Sequence, residues 1–286
     1  MTAATRVVRV GPGGGVAIGG GGPLALIAGP CVIESESLAL DTARALKEIA
    51  ARLGIPLVYK SSYTKDNRSS RDFYEGPGLA KGLEILARVR DEVGVPVLSD
   101  VHSAAEAGPA GEVLDVLQIP AYLSQQTSLA VACGETGRAV NVKKGQFVAP
   151  EDIEKTVRKI ESTGNRSILL TERGSSFGYR HLVVDMRSLA IMARAGCPVV
   201  FDATHAVRIY GRPSADPAGG EPEFIPLLAR SAVTAGCDAV FLETHPDPAS
   251  ALCDASSQLP LARLARLLEA LLAIDRARRA FAEGAA

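Results

Sequence analysis

The sequence predicts an α/β protein folded as a single (β/α)8 barrel. After residue 23, apolar runs of strand length recur eight times and alternate with segments of helical periodicity. Strands this apolar indicate a parallel sheet covered by helices on its outer face, and eight units in about 250 residues favour closure into a barrel. An open doubly wound sheet is the main alternative. It is disfavoured because no glycine-rich dinucleotide-binding fingerprint follows the first strand.

The pattern also sets approximate bounds for each element. The predicted strands cover residues 24–29, 57–61, 95–101, 116–120, 139–143, 168–172, 198–203 and 239–244. The predicted helices include residues 38–53, 79–93, 151–162, 223–235 and 260–281. Residues 23–286 are therefore expected to form one barrel domain without a linker.

Residues 1–22 are expected to form a separate, glycine-rich extension. Residues 11–22 contain eight glycines and one proline, a composition that excludes a stable α-helix. Two β-like runs, Arg6–Val10 and Val16–Ile18, flank a Gly-Pro-Gly-Gly turn signal. A β-hairpin and a disordered tail are both compatible with this pattern.

Composition excludes several functional classes. The chain has 286 residues, of which 47% are hydrophobic, and a formal net charge of −1 with acids and bases intermixed. Nothing in it resembles the basic surface of a nucleic-acid-binding protein, and no apolar run reaches the roughly 18 residues needed to span a membrane. No signal peptide is recognised. The odd number of cysteines, five, indicates free thiols in a reducing cytoplasm.

Nearly every predicted strand ends in a residue capable of chemistry. A barrel builds its active site at the C-terminal ends of its strands, so these side chains are expected to share one mouth. For any single residue, solvation or helix capping is the simpler explanation, but a fold does not require such residues at nearly every strand end. The residues are Cys31, Lys60, Asp100, His102, Gln118, Lys143, Lys144, Arg173, Asp202, His205, Glu243 and His245.

Two subsets indicate ligands. The first subset consists of cations, namely Lys60, Lys65, Lys143 and Arg173. Several cations that face one cavity repel each other, so this subset predicts one or more bound phosphorylated ligands.

The second subset consists of possible metal ligands, namely Cys31, His205, Glu243 and Asp254. They follow strands one, seven and eight, which are neighbours in a closed barrel. One thiolate, one imidazole and two carboxylates suit Zn, Fe, Co or Mn. The alternative is that Cys31 is a buried apolar residue and His205 a helix cap. The other thiols are predicted to be core or loop residues: Cys133, Cys197, Cys237 and Cys253.

The motifs resemble those of one enzyme family, 3-deoxy-D-manno-octulosonate 8-phosphate synthase, from about residue 24 to residue 275. The resemblance implies a (β/α)8 barrel, usually a homotetramer, that condenses phosphoenolpyruvate with arabinose 5-phosphate in the cytoplasm for lipopolysaccharide biosynthesis. It also allows an N-terminal hairpin that closes the barrel floor. The motifs are IAGPCVIES (27–35), YKSSYTKDNRSS (59–70), SDVH (99–102), NVKKGQF (141–147), TERGSSFGY (171–179), VVDMRSL (183–189), FDATHAV (201–207), ETHPDP (243–248) and CDASSQLPL (253–261).

The resemblance also assigns roles to residues. Phosphoenolpyruvate would be held by Lys60, Lys65, Gln126, Lys143 and Arg173, and arabinose 5-phosphate by Asn67, Arg68 and Ser69. Asp100 would lie near the sugar hydroxyls, and His205 would join these lysines, Asp100 and Arg173 as a catalytic residue. Cys31, His205, Glu243 and Asp254 match the ligands of the metal-dependent branch, because the metal-independent branch carries Asn in place of Cys31. Asp66 departs from the small residue that the family often has there.

Two other functions remain as alternatives. The related 3-deoxy-D-arabino-heptulosonate 7-phosphate synthase uses erythrose 4-phosphate and typically carries Lys-Pro-Arg-Thr where this chain has Asn67-Arg68-Ser69, which disfavours it. A non-catalytic phosphosugar- or metal-binding protein would not need both a cation set and a metal set at one mouth.

Overall fold

The computed structural model describes residues 5–66, 72–177, 180–213 and 216–284, and the predicted (β/α)8 barrel is confirmed. The last barrel strand pairs in parallel with both the first and the seventh, so the sheet closes and an open doubly wound sheet is excluded. The barrel strands are β1 (Ala25–Gly29), β2 (Leu57–Lys60), β3 (Val97–Asp100), β4 (Val116–Ile119), β5 (Ala139–Lys143), β6 (Ile168–Glu172), β7 (Val199–Asp202) and β8 (Ala239–His245).

An α-helix follows each barrel strand. The structure confirms the five predicted helices within a few residues and adds α3, α4 and α6. Among the described helices, none combines the length and apolar character that a bilayer span requires. The helices are α1 (Glu36–Leu53), α2 (Leu79–Arg88, continued by a π-helical turn over Val89–Val93), α3 (Ala104–Val113), α4 (Thr127–Glu135), α5 (Ile153–Glu161), α6 (Arg187–Ala193), α7 (Ile225–Ala235) and α8 (Leu261–Gly284).

The alternation of side chains along each strand places the polar site. Outward residues such as Leu26 and Leu117 pack against the helices, while inward residues such as Val58 and Phe241 fill the lower part of the barrel. Successive inward positions are two residues apart. The next inward position after each of these apolar residues is therefore at the upper end of the strand, and there it is polar in most strands.

The N-terminal extension forms a hairpin. Strand Val7–Val10 pairs antiparallel with Val16–Gly19, and Val8 lies opposite Ile18. Val8, Val10 and Ile18 are at most 3% exposed and pack against the inward apolar residues at the start of the barrel strands, so the hairpin closes the barrel floor. Gly19, with φ of 95°, is required here because an added Cβ would collide with the Arg6 carbonyl.

Candidate active site

The C-terminal end of the barrel gathers the predicted strand-end side chains into one connected cluster. Inward positions of the strands supply half of them, and the segments that follow β1, β2, β6, β7 and β8 supply the rest. Most are less than 10% exposed, so they form a polar layer above the apolar barrel interior. The residues that the structure brings together are Cys31, Lys60, Lys65, Asp100, Lys143, Arg173, Asp202, His205, Glu243 and Asp254.

Three of the four predicted phosphate-binding cations are already paired. The nitrogen–oxygen distances are 2.5 Å for Lys60–Glu243, 3.3 Å for Lys65–Asp100 and 2.5 Å for Lys143–Asp202. The expectation that only a bound anion could offset these cations was therefore wrong for the lysines. The partner acids lie on other strands, far along the chain, so sequence order alone does not reveal the pairing.

The pairs fix the charges of the cluster. Burial alone would raise the pKa of Asp100, but Lys65 and Lys60 hold that pKa well below its usual value. Burial likewise opposes ionisation of Glu243, yet Lys60 and His205 lower its pKa to about 2. Burial would lower the pKa of Lys65, whereas the Cys31 sulfur and the Asp100 and Glu243 carboxylates together raise it well above its ordinary value. Both carboxyl groups and Lys65 are therefore charged at neutral pH.

Of the four predicted phosphate-binding cations, Arg173 is the one that has no acidic partner among the described residues. Arg173 is 6% exposed, and within the described residues no carboxylate forms an ion pair with its guanidinium. Nη2 donates to the His205 carbonyl at 3.1 Å, but the buried Nε has no hydrogen-bond partner in the described chain. A buried, unsatisfied charged donor is costly unless a ligand completes it. Arg173 is thus the most direct sign of an anion-binding position.

Lys143, Asp202 and His205 form a hydrogen-bonded unit beside Arg173. Asp202 Oδ2 lies 2.5 Å from Lys143 Nζ and 2.7 Å from His205 Nδ1, and Asp202 Oδ1 accepts from the His205 backbone N–H at 2.9 Å. A proton on His205 Nδ1 can be donated to Asp202, and this contact directs Nε2 away from Asp202. Lys143 Nζ also lies 3.8 Å from the centre of the Phe241 ring. Burial lowers the pKa of Lys143 although Asp202 opposes the shift.

The predicted metal ligands converge on one place. His205 Nε2 lies 3.7 Å from Glu243 Oε2 and 3.6 Å from Asp254 Oδ2, and Cys31 Sγ lies 3.4 Å from the same Asp254 oxygen. Glu243 Oε2 is buried and accepts no hydrogen bond within the described chain. An unsatisfied carboxylate oxygen, an oriented imidazole nitrogen and a thiol fit a borderline divalent ion. Burial, with Cys253 and Asp254, raises the pKa of Cys31, so ion binding there would release a proton.

Cys253 is a buried loop thiol, as predicted, but the sequence did not indicate its contact with Cys31. Its sulfur lies 2.6 Å from Cys31 Sγ. Cys31, Cys253 and Asp254 have donor atoms within 4.8 Å of one another, and so do His205, Glu243 and Asp254. The position of Cys253 next to Asp254 in the chain was the signal available.

A chain of hydrogen-bonded neutral side chains on β4, β5 and β6 supports Asp100. Thr171 donates to Asn141 at 2.7 Å, Asn141 donates to Gln118 at 2.8 Å, and Gln118 donates to Asp100 Oδ1 at 2.5 Å. These residues occupy inward positions of β6, β5, β4 and β3. Because the chain of donors ends on a carboxylate, it fixes both the orientation of Asp100 and its negative charge. The position of Gln118 at a strand end predicted it as a site residue, whereas Asn141 and Thr171 were not predicted.

Other predicted residues lie outside the cluster. Gln126 is exposed at the start of α4, and no described contact joins it to the cations. Lys144 is buried but holds the loop after β5 through the Gly145 and Val148 carbonyls. His102 and His245 are on the rim beside Glu106 and Glu34. Asn67, Arg68 and Ser69 lie outside the described residues.

A barrel with a buried charged cluster at its C-terminal mouth defines a (β/α)8 enzyme that acts on anionic substrates. The chain belongs to the DAHP synthetase I family, whose model matches residues 5–278.

Curated relatives narrow the family to one named enzyme. A 2-dehydro-3-deoxyphosphooctonate aldolase of Trichlorobacter lovleyi is 53% identical over 262 residues, which are 92% of this chain and 96% of that protein. Proteins with the same name are 55% identical in Geobacter metallireducens, over 95% of this chain and 98% of theirs, and 55% identical in Acidithiobacillus ferrooxidans, over 88% and 90%. That name is a synonym of 3-deoxy-D-manno-octulosonate 8-phosphate synthase, so the resemblance stated from the motifs is confirmed.

Proposed function

We propose that this protein condenses phosphoenolpyruvate with D-arabinose 5-phosphate and water to give 3-deoxy-D-manno-octulosonate 8-phosphate and inorganic phosphate. The structural observation that carries the proposal is the buried Arg173 guanidinium, whose Nε lacks a partner within the described chain, next to a lysine-rich mouth. The family description alone would also fit a heptulosonate synthase. The relatives at 53–55% identity carry the octulosonate name, so the heptulosonate alternative is not favoured.

Arg173 and the lysines divide the work of binding phosphoenolpyruvate. Arg173 offers a planar fork for the phosphate, and Lys143, 2.5 Å from Asp202, supplies a second positive charge on the adjacent strand. Lys60 and Lys65 are shared with Glu243 and Asp100, so a substrate carboxylate there would compete with these acids. The position of Gln126 gives no support to its predicted role in this site.

The sugar is assigned to the neighbouring side of the mouth. Asp100 is held by Gln118 and Ser62, at 2.5 Å each, and would accept hydrogen bonds from sugar hydroxyls. A cavity of about 80 Å³ opens beside it, lined by Lys65, Asp100, His102 and Tyr122 among others. The sugar phosphate is assigned from the sequence alone to Asn67, Arg68 and Ser69.

The reaction needs charge stabilisation and proton transfer more than covalent catalysis. Carbon three of phosphoenolpyruvate attacks the sugar aldehyde, water adds at carbon two, and the carbon–oxygen bond to phosphate breaks. The cations stabilise the negative charge that develops and align the two substrates. Burial lowers the pKa of Lys143 although Asp202 opposes the shift, which makes Lys143 a candidate proton donor.

We also propose one divalent ion, Zn, Fe, Mn or Co, held by Cys31, His205, Glu243 and Asp254. The assignment is supported by the contacts of His205 with Glu243 and Asp254, the contact of Cys31 with Asp254, and the unsatisfied Glu243 oxygen. When bound, such an ion would act as a Lewis acid that orients the aldehyde or activates water. Asp202 would keep His205 in the ligating tautomer through its 2.7 Å bond to Nδ1.

The cellular setting is proposed from the family resemblance. A cytoplasmic homotetramer is expected, and exposed apolar side chains near the barrel mouth are compatible with subunit contacts. Tyr122 and Phe147 are 47% and 56% exposed, and Leu227 on α7 is 52% exposed.

A phosphate-release assay separates the three candidate functions. Phosphoenolpyruvate is supplied without sugar, with arabinose 5-phosphate and with erythrose 4-phosphate, and release is expected to depend on arabinose 5-phosphate. A preference for erythrose 4-phosphate would favour the heptulosonate synthase, and no release with either sugar would favour a non-catalytic binding protein. Chelation should abolish turnover, whereas full activity in a sample shown by elemental analysis to be metal-free would refute the metal assignment.

A further inference from the structure

Cys253 places a second thiol at the proposed metal site. Its sulfur is 2.6 Å from Cys31 Sγ although the two residues are 222 positions apart. Cys31 follows β1, and Cys253 lies on the loop after β8, the strand that pairs with β1. Both side chains are buried, at 0% and 2% exposure, and Cys31 Sγ also lies 3.4 Å from Asp254 Oδ2. Two sulfurs and a carboxylate oxygen therefore point at one small volume.

The surrounding chain holds this arrangement from both sides. The Gln258 side chain donates to the Cys253 carbonyl at 2.8 Å and accepts from the Cys31 backbone N–H at 3.4 Å, so one amide clamps both segments. Lys60 Nζ donates to the Cys31 carbonyl at 2.8 Å. Asp254 has φ of 48°, the left-handed region, and no other non-glycine residue in the described chain has a positive φ. Such a conformation costs about 1 kcal/mol or more and persists only where the surroundings impose it.

This donor set is richer in sulfur than the four-residue set, which contains one thiol. Zinc binds thiolates at about 2.3 Å in a tetrahedral arrangement, which would separate two ligating sulfurs by about 3.8 Å. The sulfurs would need to move apart by only about 1 Å, within reach of small side-chain rotations. Thiolates select soft or borderline ions, whereas carboxylates and water suit harder ions such as Mn²⁺.

We propose that Cys253 is a metal-contacting residue that gives the site a thiol-rich face, Cys31–Cys253–Asp254, selective for thiophilic divalent cations such as Zn²⁺ and Cd²⁺. This inference rests on the proposed metal site and adds a fifth donor to it. The two groups of donors share Asp254, so the softness of the ion decides whether Cys253 joins the four-residue set. A hard ion is held without the Cys253 sulfur, and a thiophilic ion draws in both sulfurs.

Metal titration followed by absorbance counts the sulfurs directly. Fully reduced, metal-free protein is titrated with Co²⁺ and with Cd²⁺ under anaerobic conditions, and the sulfur-to-metal charge-transfer band is measured for wild type, Cys31→Ser, Cys253→Ser and the double variant. Each single variant is expected to keep about half of the wild-type intensity, and the double variant none. Full intensity in Cys253→Ser together with none in Cys31→Ser would overturn the proposal.

A control and a second readout separate the possible failures. Cys197→Ser is the matched control, because Cys197 is a buried thiol just before β7, at the opposite end of the barrel from the proposed metal site. In competition between Zn²⁺ and Mn²⁺, Cys253→Ser and Cys253→Ala should both lose preference for Zn²⁺, and an unchanged preference in both would contradict the role of Cys253. Turnover of the wild type with arabinose 5-phosphate is measured separately, so a failure of the proposed reaction is recognised independently of the sulfur count.

Discussion

Replacing Arg173 with lysine tests the anion site most sharply, because the change keeps the positive charge and removes the fork. Arg173 is 6% exposed, its Nη2 bonds to the His205 carbonyl at 3.1 Å, and its Nε lacks a partner within the described chain. We expect Nε to donate to the phosphate of phosphoenolpyruvate. A hydrogen bond to a charged group contributes about 1.5–3 kcal/mol, so the KM for phosphoenolpyruvate should rise roughly ten- to a hundredfold.

The measurement is steady-state phosphate release with each substrate varied in turn. The KM for arabinose 5-phosphate should change much less, because the sugar is assigned to the Asp100 side of the mouth. Arg187→Lys is the matched control, since the Arg187 side chain is 85% exposed and pairs only with Asp185 among the described residues. An unchanged KM for phosphoenolpyruvate in correctly folded Arg173→Lys would refute the anion-site reasoning.

Three further predictions concern the barrel floor, pH and the metal branch. Ile18→Ala should lower the free energy of unfolding by about 2–5 kcal/mol in urea titrations while the KM values stay unchanged, because Ile18 is fully buried in the floor; a neutral effect would contradict the packing. The folded-state pKa of Asp100 lies well below its ordinary 3.8, so its charge stabilises the fold above that pH and the stabilisation is lost as pH falls through the lower, folded value. The melting-temperature gap between wild type and Asp100→Asn should therefore be widest near neutral pH and narrow in acid, and a constant gap would argue against this linkage. Cys31→Asn should keep measurable activity that no longer responds to chelation, whereas Cys31→Ala should be far less active; equal loss in both would mean that the metal does more than orient substrates.

The barrel was predictable because its signal is repeated. Eight apolar runs indicated the strands within a few residues, and the closure between β8 and β1 followed from their number. Three helices were not predicted, each for a local reason. Helix α3 contains Pro109 and two glycines, α4 is only nine residues long and contains Gly134, and α6 has seven residues. Such segments are helical because they pack between strands and neighbouring helices, which a weak periodic pattern does not reveal.

The sequence predicted which residues meet at the candidate site but not which of them form ion pairs. Strand ends indicated which residues meet, because parallel strands in a closed barrel end at the same face. They did not show that Lys60 meets Glu243, a residue 183 positions away, or that Lys143 meets Asp202. The contact of Cys253 with Cys31 was not predicted for the same reason, since it depends on how the loop after β8 folds back.

Isotope tracing of the carbon–oxygen cleavage tests the central claim most directly. Phosphoenolpyruvate labelled with ¹⁸O at the bridging oxygen is incubated with arabinose 5-phosphate and the metal-loaded protein, and both products are analysed by mass spectrometry. The account predicts an eight-carbon 3-deoxy acid sugar phosphate without the bridging label and inorganic phosphate that carries it. Label retained in the sugar product, or no eight-carbon product with folded, metal-loaded protein, would contradict the proposed reaction.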